Sequence, residues 1–597
     1  MASMDLAMLN KSGNKCRKFE EVKDNQISTI RTIIGEAMER LGGINSELLQ
    51  EKNVGKMLVT VQSELEHTYL DLSDAADLST NNIKLKKCNS NEHTALKDLN
   101  KALLLTHADY LGPIYYHRGM TLTAWGKYEE ATVDFEQALV FQFKGRELYK
   151  LYHKLAQCYQ KTKKFSRSAE CLGKAVENIK SAKLNDKQKK QHVKILKESI
   201  EKISHKKDAP KEITKNLSKV TEPHTTDPRL SNLIRIKTSS EKGRHSVARE
   251  DIPVGTILMS DEGMNPFLNP DDKENATKFC LVCLKNVDSL PFPCLSCARV
   301  VYCSPTCQQK GAAQFHNYQC QLDIYNIRQK DTKDWCRIFS TLNIILAKPL
   351  SFWIANQKEF LEKKSNTNID SEGLPSQALD EIDRYLQLFD MVTHEDTIPV
   401  DVRAKHALVV VFHLRSLRKT DYYSKHNLKI KTKTNEFLEE ELLIGKLIFK
   451  LRLISEANLY PVWGVEEEGA GQVAIENIGS GIFPSIGSCL NSSCSPNTIR
   501  VNRGHKVLVV AAQDIAKGEE ITDNYCIHYS ELPVEERKEW LKETFQFECS
   551  CQACLHDWPV FDQMKTDMPT EIKEQVAAIE KENAEALRFV NIDSRVS

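Results

Sequence analysis

Eight metal-ligand side chains crowd into a stretch of 41 residues, and this feature constrains the chain most. The pairs in this stretch are Cys280-x2-Cys283, Cys294-x2-Cys297, Cys303-x3-Cys307 and His316-x3-Cys320. Two ligands so close in sequence can both reach one tetrahedral Zn²⁺, so four pairs supply two closed structural sites. Chance clustering of buried thiols is the alternative, and the density of ligand-type residues argues against it.

A second cysteine group lies near the C-terminus. It reads Cys549-x-Cys551-x2-Cys554 and leaves a tetrahedral zinc one ligand short, with Cys494 as the candidate for the fourth. Eleven cysteines and His316 then make twelve ligands, enough for three four-coordinate sites. We expect most of the remaining seven to be buried thiols, and these are Cys16, Cys88, Cys158, Cys171, Cys336, Cys489 and Cys526.

Composition and length restrict the broad class of protein. A chain of 597 residues exceeds one compact domain, and its 82 basic and 82 acidic residues give no global attraction to nucleic acid or membrane surfaces. The N-terminus has no continuous apolar segment typical of a signal peptide, and the run 407–414 is too short to cross a bilayer. We therefore expect a soluble intracellular protein, in which clustered cysteines bind metal rather than form disulfides.

A helical repeat is predicted from about 91 to 180. One copy has Tyr115, Gly119 and Leu122 before the turn 126–128 and Ala131, Phe135 and Ala138 after it. A second copy follows 37 residues later, and half a copy precedes the first at Ala95, Leu99 and Ala102. The pattern of small and large residues is typical of tetratricopeptide helix pairs, with three extra residues in the loop around 143–146. A generic helical bundle remains the alternative.

The rest of the chain divides by composition. Residues 1–90 are polar and helix-prone, without chemistry that we can assign. The lysine-rich segment 183–219 starts as a helix and ends as a linker; a localisation signal or an acidic partner is conceivable, but a solvated helix face is favoured. Alternating patterns predict strands within 241–258, 498–511 and 521–525, whereas 330–460 is mostly helical with a polar break at 362–377.

The eight-ligand stretch resembles a MYND zinc finger, in which the ligand pairs interleave. The resemblance assigns one zinc to Cys280, Cys283, Cys303 and Cys307, and the other to Cys294, Cys297, His316 and Cys320. The spacing by itself leaves the pairing open.

Five further motifs occur in the order found in the SET-and-MYND (SMYD) lysine methyltransferases, and the chain resembles the subgroup with an N-terminal tetratricopeptide region over roughly 91–556. The motifs are Lys242-Gly243-Arg244, Asn458 in Glu456-Ala-Asn-Leu-Tyr-Pro-Val462, Ser488-Cys-Leu-Asn491-Ser492-Ser-Cys494-Ser-Pro-Asn497, Gly518-Glu-Glu-Ile-Thr-Asp-Asn-Tyr525 and Phe545-Gln-Phe547-Glu-Cys549-Ser-Cys551-Gln-Ala-Cys554.

This resemblance implies transfer of a methyl group from S-adenosylmethionine to a lysine amine, with Tyr525 as the catalytic tyrosine. It implies that Cys494 completes a third zinc site with the C-terminal cysteines and that all three zincs are structural. The implied cofactor-binding residues are Lys242, Gly243, Arg244, Asn458, Ser488, Asn491, Ser492, Tyr525 and Phe547. A core tyrosine with a satisfied hydroxyl is the alternative for Tyr525, and the surrounding motifs favour the site.

Several positions depart from the family pattern. Ser492 replaces a histidine, Phe545 replaces a second active-site tyrosine, His245 and Ser246 follow Arg244 where a glycine is common, and few residues follow Cys554. Phe545 and Ser492 motivate an alternative function, a weakly active or non-catalytic adaptor. DNA binding by the finger is disfavoured, because 278–330 carries a net charge of only +4 from six basic and two acidic residues.

The predicted fold class is multidomain α+β. Its predicted parts are a helix-prone region (1–90), tetratricopeptide-like repeats with a basic helix (91–205), a linker (206–228), the first part of a β-rich SET fold (229–275), the MYND finger (276–320), a helical insertion (321–460), the catalytic part of SET (461–530), the zinc-bound post-SET segment (531–556) and a short helical tail (557–597). Expected partners are a lysine-containing protein substrate, histone or non-histone, proline-rich peptides at the finger, and chaperones or peptides at the repeats. We expect a monomer in the nucleus and cytoplasm that binds neither membrane nor nucleic acid directly.

Overall fold

The structure is a computed structural model, and its description is confined to part of the chain. The described residues are 92–105, 111–141, 143, 148–182, 184–208, 219–264, 266–269, 275–287, 290–297, 299–322, 332–362, 378–425, 436–468, 472–487, 489–525, 527–561 and 563. The predicted N-terminal region 1–90, most of the polar break, Ser488 and the helical tail beyond 563 lie outside them. Within the described helices, none is both long enough and apolar enough to span a bilayer.

Helices dominate the first half of the described chain. They are α1 (Glu92–Leu105), α2 (Leu111–Ala124), α3 (Tyr128–Val140), α4 (Leu148–Lys161), α5 (Phe165–Asn178) and α6 (Asp186–Ile203), with a 3₁₀ turn at Ile179–Ser181. The strands β1 (Ile234–Ser239), β2 (Gly243–Ala248), β3 (Ile257–Glu262) and β4 (Phe267–Leu268) follow, then the short helix α7 (Asn275–Lys278). The finger region contains β5 (Phe292–Pro293), β6 (Val301–Tyr302), α8 (Pro305–Ala313) and α9 (His316–Gln321).

The second half alternates a helical block with short strands. Its helices are α10 (Thr332–Leu346), α11 (Leu350–Ala355), α12 (Gln357–Leu361), α13 (Glu381–Phe389), α14 (Val400–Arg418), α15 (Tyr422–Lys425), α16 (Glu439–Asn458), α17 (Pro484–Gly487), α18 (Val534–Phe545) and α19 (Gln552–Leu555). Its strands are β7 (Tyr460–Glu468), β8 (Gln472–Gly481), β9 (Asn491–Ser492), β10 (Thr498–Arg503), β11 (Lys506–Ala511) and β12 (Glu520–Asp523).

The chain divides into two compact units. The first contains the described parts of Ala75–Thr214 together with Val287–Gln308, and the second contains those of Lys215–Asn286 and Gln309–Ser597. In the first unit, each of the helices α1 to α6 packs on its neighbour in sequence. Gly119 lets α2 and α3 approach closely, because a Cβ at this position would lie 2.9 Å from the Phe135 ring. The extra length between the copies falls between Val140 and Leu148, in the connection that the spacing predicts.

A buried ion pair holds the first unit together. Arg118 donates to both carboxylate oxygens of Asp134 at 2.8 Å, to the side chain of Asn100 at 2.9 Å and to the backbone carbonyl of Pro291 at 3.0 Å. The arginine and aspartate side chains are 0% and 1% exposed. Because Pro291 precedes β5, this one guanidinium ties three repeat helices to the segment Val287–Gln308.

The second unit places three small sheets around a helical block. The strand orders are β1-β2-β12-β9, β10-β11-β3 and β4-β8-β7. The helices α10 and α14 both pack against α16, whose apolar residues are largely buried. The predicted segments 241–258 and 521–525 therefore share a sheet through β2 and β12, whereas the strands of 498–511 pair with β3 in a second sheet.

Candidate functional site

Strand β12 brings the separate SET motifs together. It pairs in parallel with β9, opposing Thr522 to Asn491, and antiparallel with β2, opposing Ile521 to Ser246. The segment that starts at Asn491, the Lys242 loop and the residues leading to Tyr525 thus become neighbours, although up to 283 positions separate them in sequence.

Hydrogen bonds fix the Lys242 loop to Asn491. The Nδ2 atom of Asn491 donates to the Lys242 carbonyl and to Oε1 of Glu520, both at 3.0 Å. The Nζ atom of Lys242 lies 2.6 Å from Oε2 of the same glutamate. The sequence analysis did not predict a role for Glu520, although this residue lies within the Gly518–Tyr525 motif. A carboxylate five residues before the predicted catalytic tyrosine could have indicated it.

The Lys242 loop leaves space for a ligand. Gly243 has φ +60°, and a Cβ built there would meet no atom within 4 Å. Arg244 follows it and pairs with Thr238 across the β1-β2 hairpin. Only glycine adopts this backbone conformation freely, and the main chain here faces open space. Both features suit a ligand that approaches the main chain closely.

Tyr525 lies at the end of β12 against an aromatic wall. Its hydroxyl donates to the Leu490 carbonyl, and its backbone N–H donates to the Ser492 hydroxyl at 3.3 Å. Its ring centroid is 5.2 Å from that of Phe545 and 6.4 Å from that of Phe547. Burial raises the pKa of the Tyr525 hydroxyl well above its usual range, so this group stays a neutral hydrogen-bond donor at physiological pH.

Asn458, the last residue of α16, is engaged with its own surroundings. Its Nδ2 atom donates to the carbonyl of Val392 at 2.9 Å and to that of Ile454 at 2.8 Å. These contacts fix the helix terminus and join it to the segment after α13. The predicted cofactor contact of Asn458 stays a prediction, as does that of Ser488, which lies outside the described residues.

The finger ligands form two groups of four. One contains Cys280, Cys283, Cys303 and Cys307, the other Cys294, Cys297, His316 and Cys320, and in each the ligand atoms lie within 4.8 Å of one another. This is the interleaved pairing that the MYND resemblance implies. Any two cysteine sulfurs that bind one tetrahedral zinc are about 3.8 Å apart for Zn–S bonds of about 2.3 Å. The Cys303 and Cys307 sulfurs are 3.6 Å apart, which fits this donor geometry.

The third group joins Cys494 to the C-terminal cysteines. All four sulfurs lie within 4.8 Å of one another, with Cys494 at 3.9 Å from Cys549 and 3.5 Å from Cys554. Hydrogen bonding with the Cys549 thiol raises the pKa of Cys494, whereas hydrogen bonding with Cys494 lowers the pKa of Cys551. Four thiols at these distances cannot all ionise together unless a cation neutralises them, and Zn²⁺ suits a donor set of four sulfurs.

A cavity of about 270 Å³ lies at the end of β12, next to the residues that lead to Tyr525. Its walls are Tyr460, Pro461, Trp463, Phe483, Ile486, Pro496, Thr498, Ile499, Arg500, Asn502, Val507, Asp523 and Asn524. Arg500 stacks its guanidinium on the Tyr460 ring at 4.6 Å, pairs with Asp523 at 3.1 Å and donates to the Asn524 carbonyl at 2.9 Å. No sequence motif marked Arg500, because its partners come from two different sheets.

Comparison with known proteins finds three matching families and several related sequences. The SET domain family matches residues 358–526, the MYND finger family matches 280–320, and the tetratricopeptide repeat family matches 112–139 and 149–180. The sequence is 24% identical over 512 residues to protein-lysine N-methyltransferase SMYD4 of Mus musculus, covering 74% of this chain and 61% of the relative. It is also 24% identical over 319 residues to N-lysine methyltransferase SMYD2 of Sus scrofa, covering 53% and 59%.

The chain therefore resembles the SET-and-MYND protein-lysine methyltransferases with an N-terminal tetratricopeptide region, as its motifs predict. The predicted fold class is confirmed: a helical repeat region, a SET domain and a MYND finger combine helices and small sheets. The chain spans about 60% of the length of the mouse and pig relatives.

Proposed function

We propose that this protein is an S-adenosylmethionine-dependent protein-lysine N-methyltransferase acting on histone or non-histone proteins. The observation that carries the proposal is the convergence, around β12, of the Lys242 loop, the Asn491–Ser492 strand and Tyr525. The relatives with matching sequences are themselves named lysine methyltransferases, which supports the same reaction here.

The residues around β12 fit the proposed cofactor. When bound, S-adenosylmethionine supplies a methyl group on a positively charged sulfur. Gly243 leaves its main chain open, Asn491 presents an amide, and Glu520 holds that amide against the Lys242 loop. The proposed cofactor-binding set is completed by Arg244, Asn458, Ser488, the Ser492 main chain, Tyr525 and Phe547.

Tyr525 is the proposed catalytic residue. Its neutral hydroxyl can accept from or donate to a lysine amine and so orient the amine for in-line attack, and correct orientation alone is worth several kcal/mol. The rings of Phe545 and Phe547 beside it exclude water. Removal of water favours the neutral form of the target lysine, which is the nucleophilic form.

The three ligand groups are proposed to hold three structural zinc ions, two in the finger and one in the post-SET segment. Each group supplies four ligands and leaves no open position, the arrangement of a structural rather than a catalytic site. The third ion would join Cys494, near Asn491, to the segment carrying Phe547. It would thereby hold the aromatic wall against Tyr525.

A transfer assay tests the proposal. The purified chain is incubated with methyl-labelled S-adenosylmethionine and cell lysate, and the labelled proteins are hydrolysed to amino acids. We expect the label to be recovered as ε-N-methylated lysine. Cofactor binding that is measurable by calorimetry, without any labelled lysine, would favour the adaptor and overturn the proposal.

A matched pair of variants ties the result to the site. Asn491→Ala removes the amide that bonds the Lys242 loop, and we expect it to weaken cofactor binding and transfer together. Asn178→Ala removes an amide of the same type at the end of α5, where it bonds only the Lys174 carbonyl. We expect this control to bind cofactor and transfer methyl groups like the parent.

The proposal also includes the expected partners, oligomeric state and localisation of the protein. The lysine-containing substrate is the principal partner, with proline-rich peptides at the finger and chaperones or other peptides at the repeats as further partners. The protein is proposed to be a monomer, to be present in the nucleus and cytoplasm, and not to bind nucleic acid directly. The modular composition supports the peptide partners, because finger and repeat modules both serve protein recognition.

A further inference from the structure

Arg537 is a buried cation beside the third cysteine group. It lies on α18, and its side chain is 0% exposed. One terminal nitrogen lies 3.8 Å from the sulfur of Cys554 and 3.4 Å from the Ala553 carbonyl. The other donates to the carbonyls of Tyr529, at 3.2 Å, and Leu532. Sequence reasoning assigned this residue no role.

The neutral partners of Arg537 do not balance its charge. Within the described part of the chain, no carboxylate forms an ion pair with Arg537, and its Nε atom has no hydrogen-bond partner. A fully buried arginine without an anion is rare, because burial of an unpaired charge costs several kcal/mol. The acidic group in contact with Arg537 is the Cys554 thiol, a member of the third cysteine group.

The cysteine group has the opposite imbalance once it holds the proposed zinc ion. Four thiolates and one Zn²⁺ carry a net charge of about −2 in a buried site. A guanidinium at the edge of this group offsets one of those charges without entering the coordination sphere. We propose that Arg537 is the counter-cation of the Cys494–Cys549–Cys551–Cys554 zinc site, an inference that rests on the proposed zinc binding.

The same residue connects the zinc site to the aromatic wall. The helix that carries Arg537 also carries Leu541, which is buried in one apolar cluster with Cys494, Cys549 and Cys554. That helix ends at Phe545, whose ring lies against Tyr525. Arg537 is therefore a positioning residue: it keeps the metal in place, and the metal site keeps α18 in register with Tyr525.

Site-resolved thiol alkylation tests the role of the charge. The zinc-loaded full-length protein is exposed to a chelator and a thiol reagent, and mass spectrometry follows modification of Cys549, Cys551 and Cys554. Loss of an outer partner typically weakens metal binding 10–100-fold. We expect Arg537→Met to accelerate alkylation of these thiols at least tenfold, while the finger cysteines of the same molecules react at the parent rate.

Two further variants separate charge from packing. Arg537→Lys keeps the charge and should label several-fold more slowly than Arg537→Met. The matched control Lys542→Met removes an exposed cation from the same helix, where it pairs with Glu548 at 3.1 Å, and should label like the parent. Equal labelling of Arg537→Met and the parent, or of Arg537→Met and Arg537→Lys, would overturn the proposal.

A folding defect is recognised within the same experiment. If Arg537→Met unfolds the unit, the finger cysteines also become reactive, and the comparison moves to Arg537→Lys against Arg537→Gln, with the lysine variant expected to be the slower. Zinc analysis of the parent gives a separate result. Fewer than three zinc ions, with the C-terminal thiols already reactive, would refute the proposed metal site itself, whatever the methyl-transfer assay shows.

Discussion

Glu520 illustrates how one residue organises the site at the smallest scale. One carboxylate oxygen accepts from the Asn491 amide and the other from the Lys242 ammonium, so Glu520 joins the proposed cofactor loop to β9. The Lys242 ammonium is half-exposed, so the ion pair itself contributes little, about 0–1 kcal/mol. The main effect of Glu520 is therefore to orient the Asn491 amide.

Replacing Glu520 by alanine should weaken cofactor binding without unfolding the protein. The lost orientation is expected to raise the dissociation constant about fivefold, equivalent to about 1 kcal/mol. Isothermal titration calorimetry measures the effect. The control Glu535→Ala alters an exposed glutamate in the first turn of α18 and should leave the constant unchanged. Parent-like binding by Glu520→Ala would show that Asn491 needs no external support.

At the scale of secondary-structure elements, the β10-β11 hairpin depends on a glycine. Gly504 has φ +60° at the turn, and a Cβ there would lie 2.2 Å from the Cys283 carbonyl oxygen. That carbonyl also accepts from the backbone N–H of His505 at 2.8 Å. The hairpin turn consequently packs directly on the backbone of a finger ligand.

Gly504→Ala should destabilise the second unit more than a glycine replacement in open space does. A matched control is Gly518→Ala, because Gly518 has φ +85° but a Cβ there would meet no atom within 4 Å. The left-handed conformation costs each variant about 1–2 kcal/mol, and overpacking adds about 1–3 kcal/mol for Gly504→Ala alone. Urea unfolding measures the difference, and equal losses would contradict the close approach to Cys283.

Sequence-based prediction was possible for those parts of the site whose residues lie only a few positions apart in the chain. The finger pairs, the Cys549–Cys554 group and the Asn491–Asn497 segment each place several functional atoms within a few residues. The sequence did not predict roles for Arg118 and Arg537, because their partners are brought close only by the tertiary fold. The Pro291 carbonyl that accepts from Arg118, for example, lies 173 positions away. The hydrogen bonds of Asn458 to Val392 and Ile454 likewise could not be inferred from its motif.

At the scale of the molecule, the chain is built from two units, and the first unites the repeats with the segment Val287–Gln308. Arg118 is its central polar contact, and its guanidinium also stacks on Tyr115 and Phe292 at 5.4 and 5.5 Å. Repeats and finger segment are expected to unfold together for this reason.

Arg118→Met should destabilise the first unit by about 3–5 kcal/mol, because it leaves the Asp134 carboxylate buried without its partner. The double variant Arg118→Met/Asp134→Leu removes both charges and should recover much of the loss. Lys174→Met, which breaks an exposed pair with Glu170, serves as the control and should cost under about 1 kcal/mol. Urea unfolding followed by circular dichroism measures all three, and a parent-like Arg118→Met would contradict the account.

The central claim is that this protein methylates lysine and that Tyr525 is the catalytic residue. The most direct test compares the single-turnover rate of methyl transfer by the parent with that by Tyr525→Phe, and measures cofactor affinity on the same samples. We predict that the parent methylates lysine. Because the variant keeps the aromatic ring but loses the orienting hydroxyl, its rate should fall about 100-fold or more while its cofactor affinity changes only a few-fold. A variant as fast as the parent, or a parent that binds cofactor and forms no methyl-lysine, would contradict it.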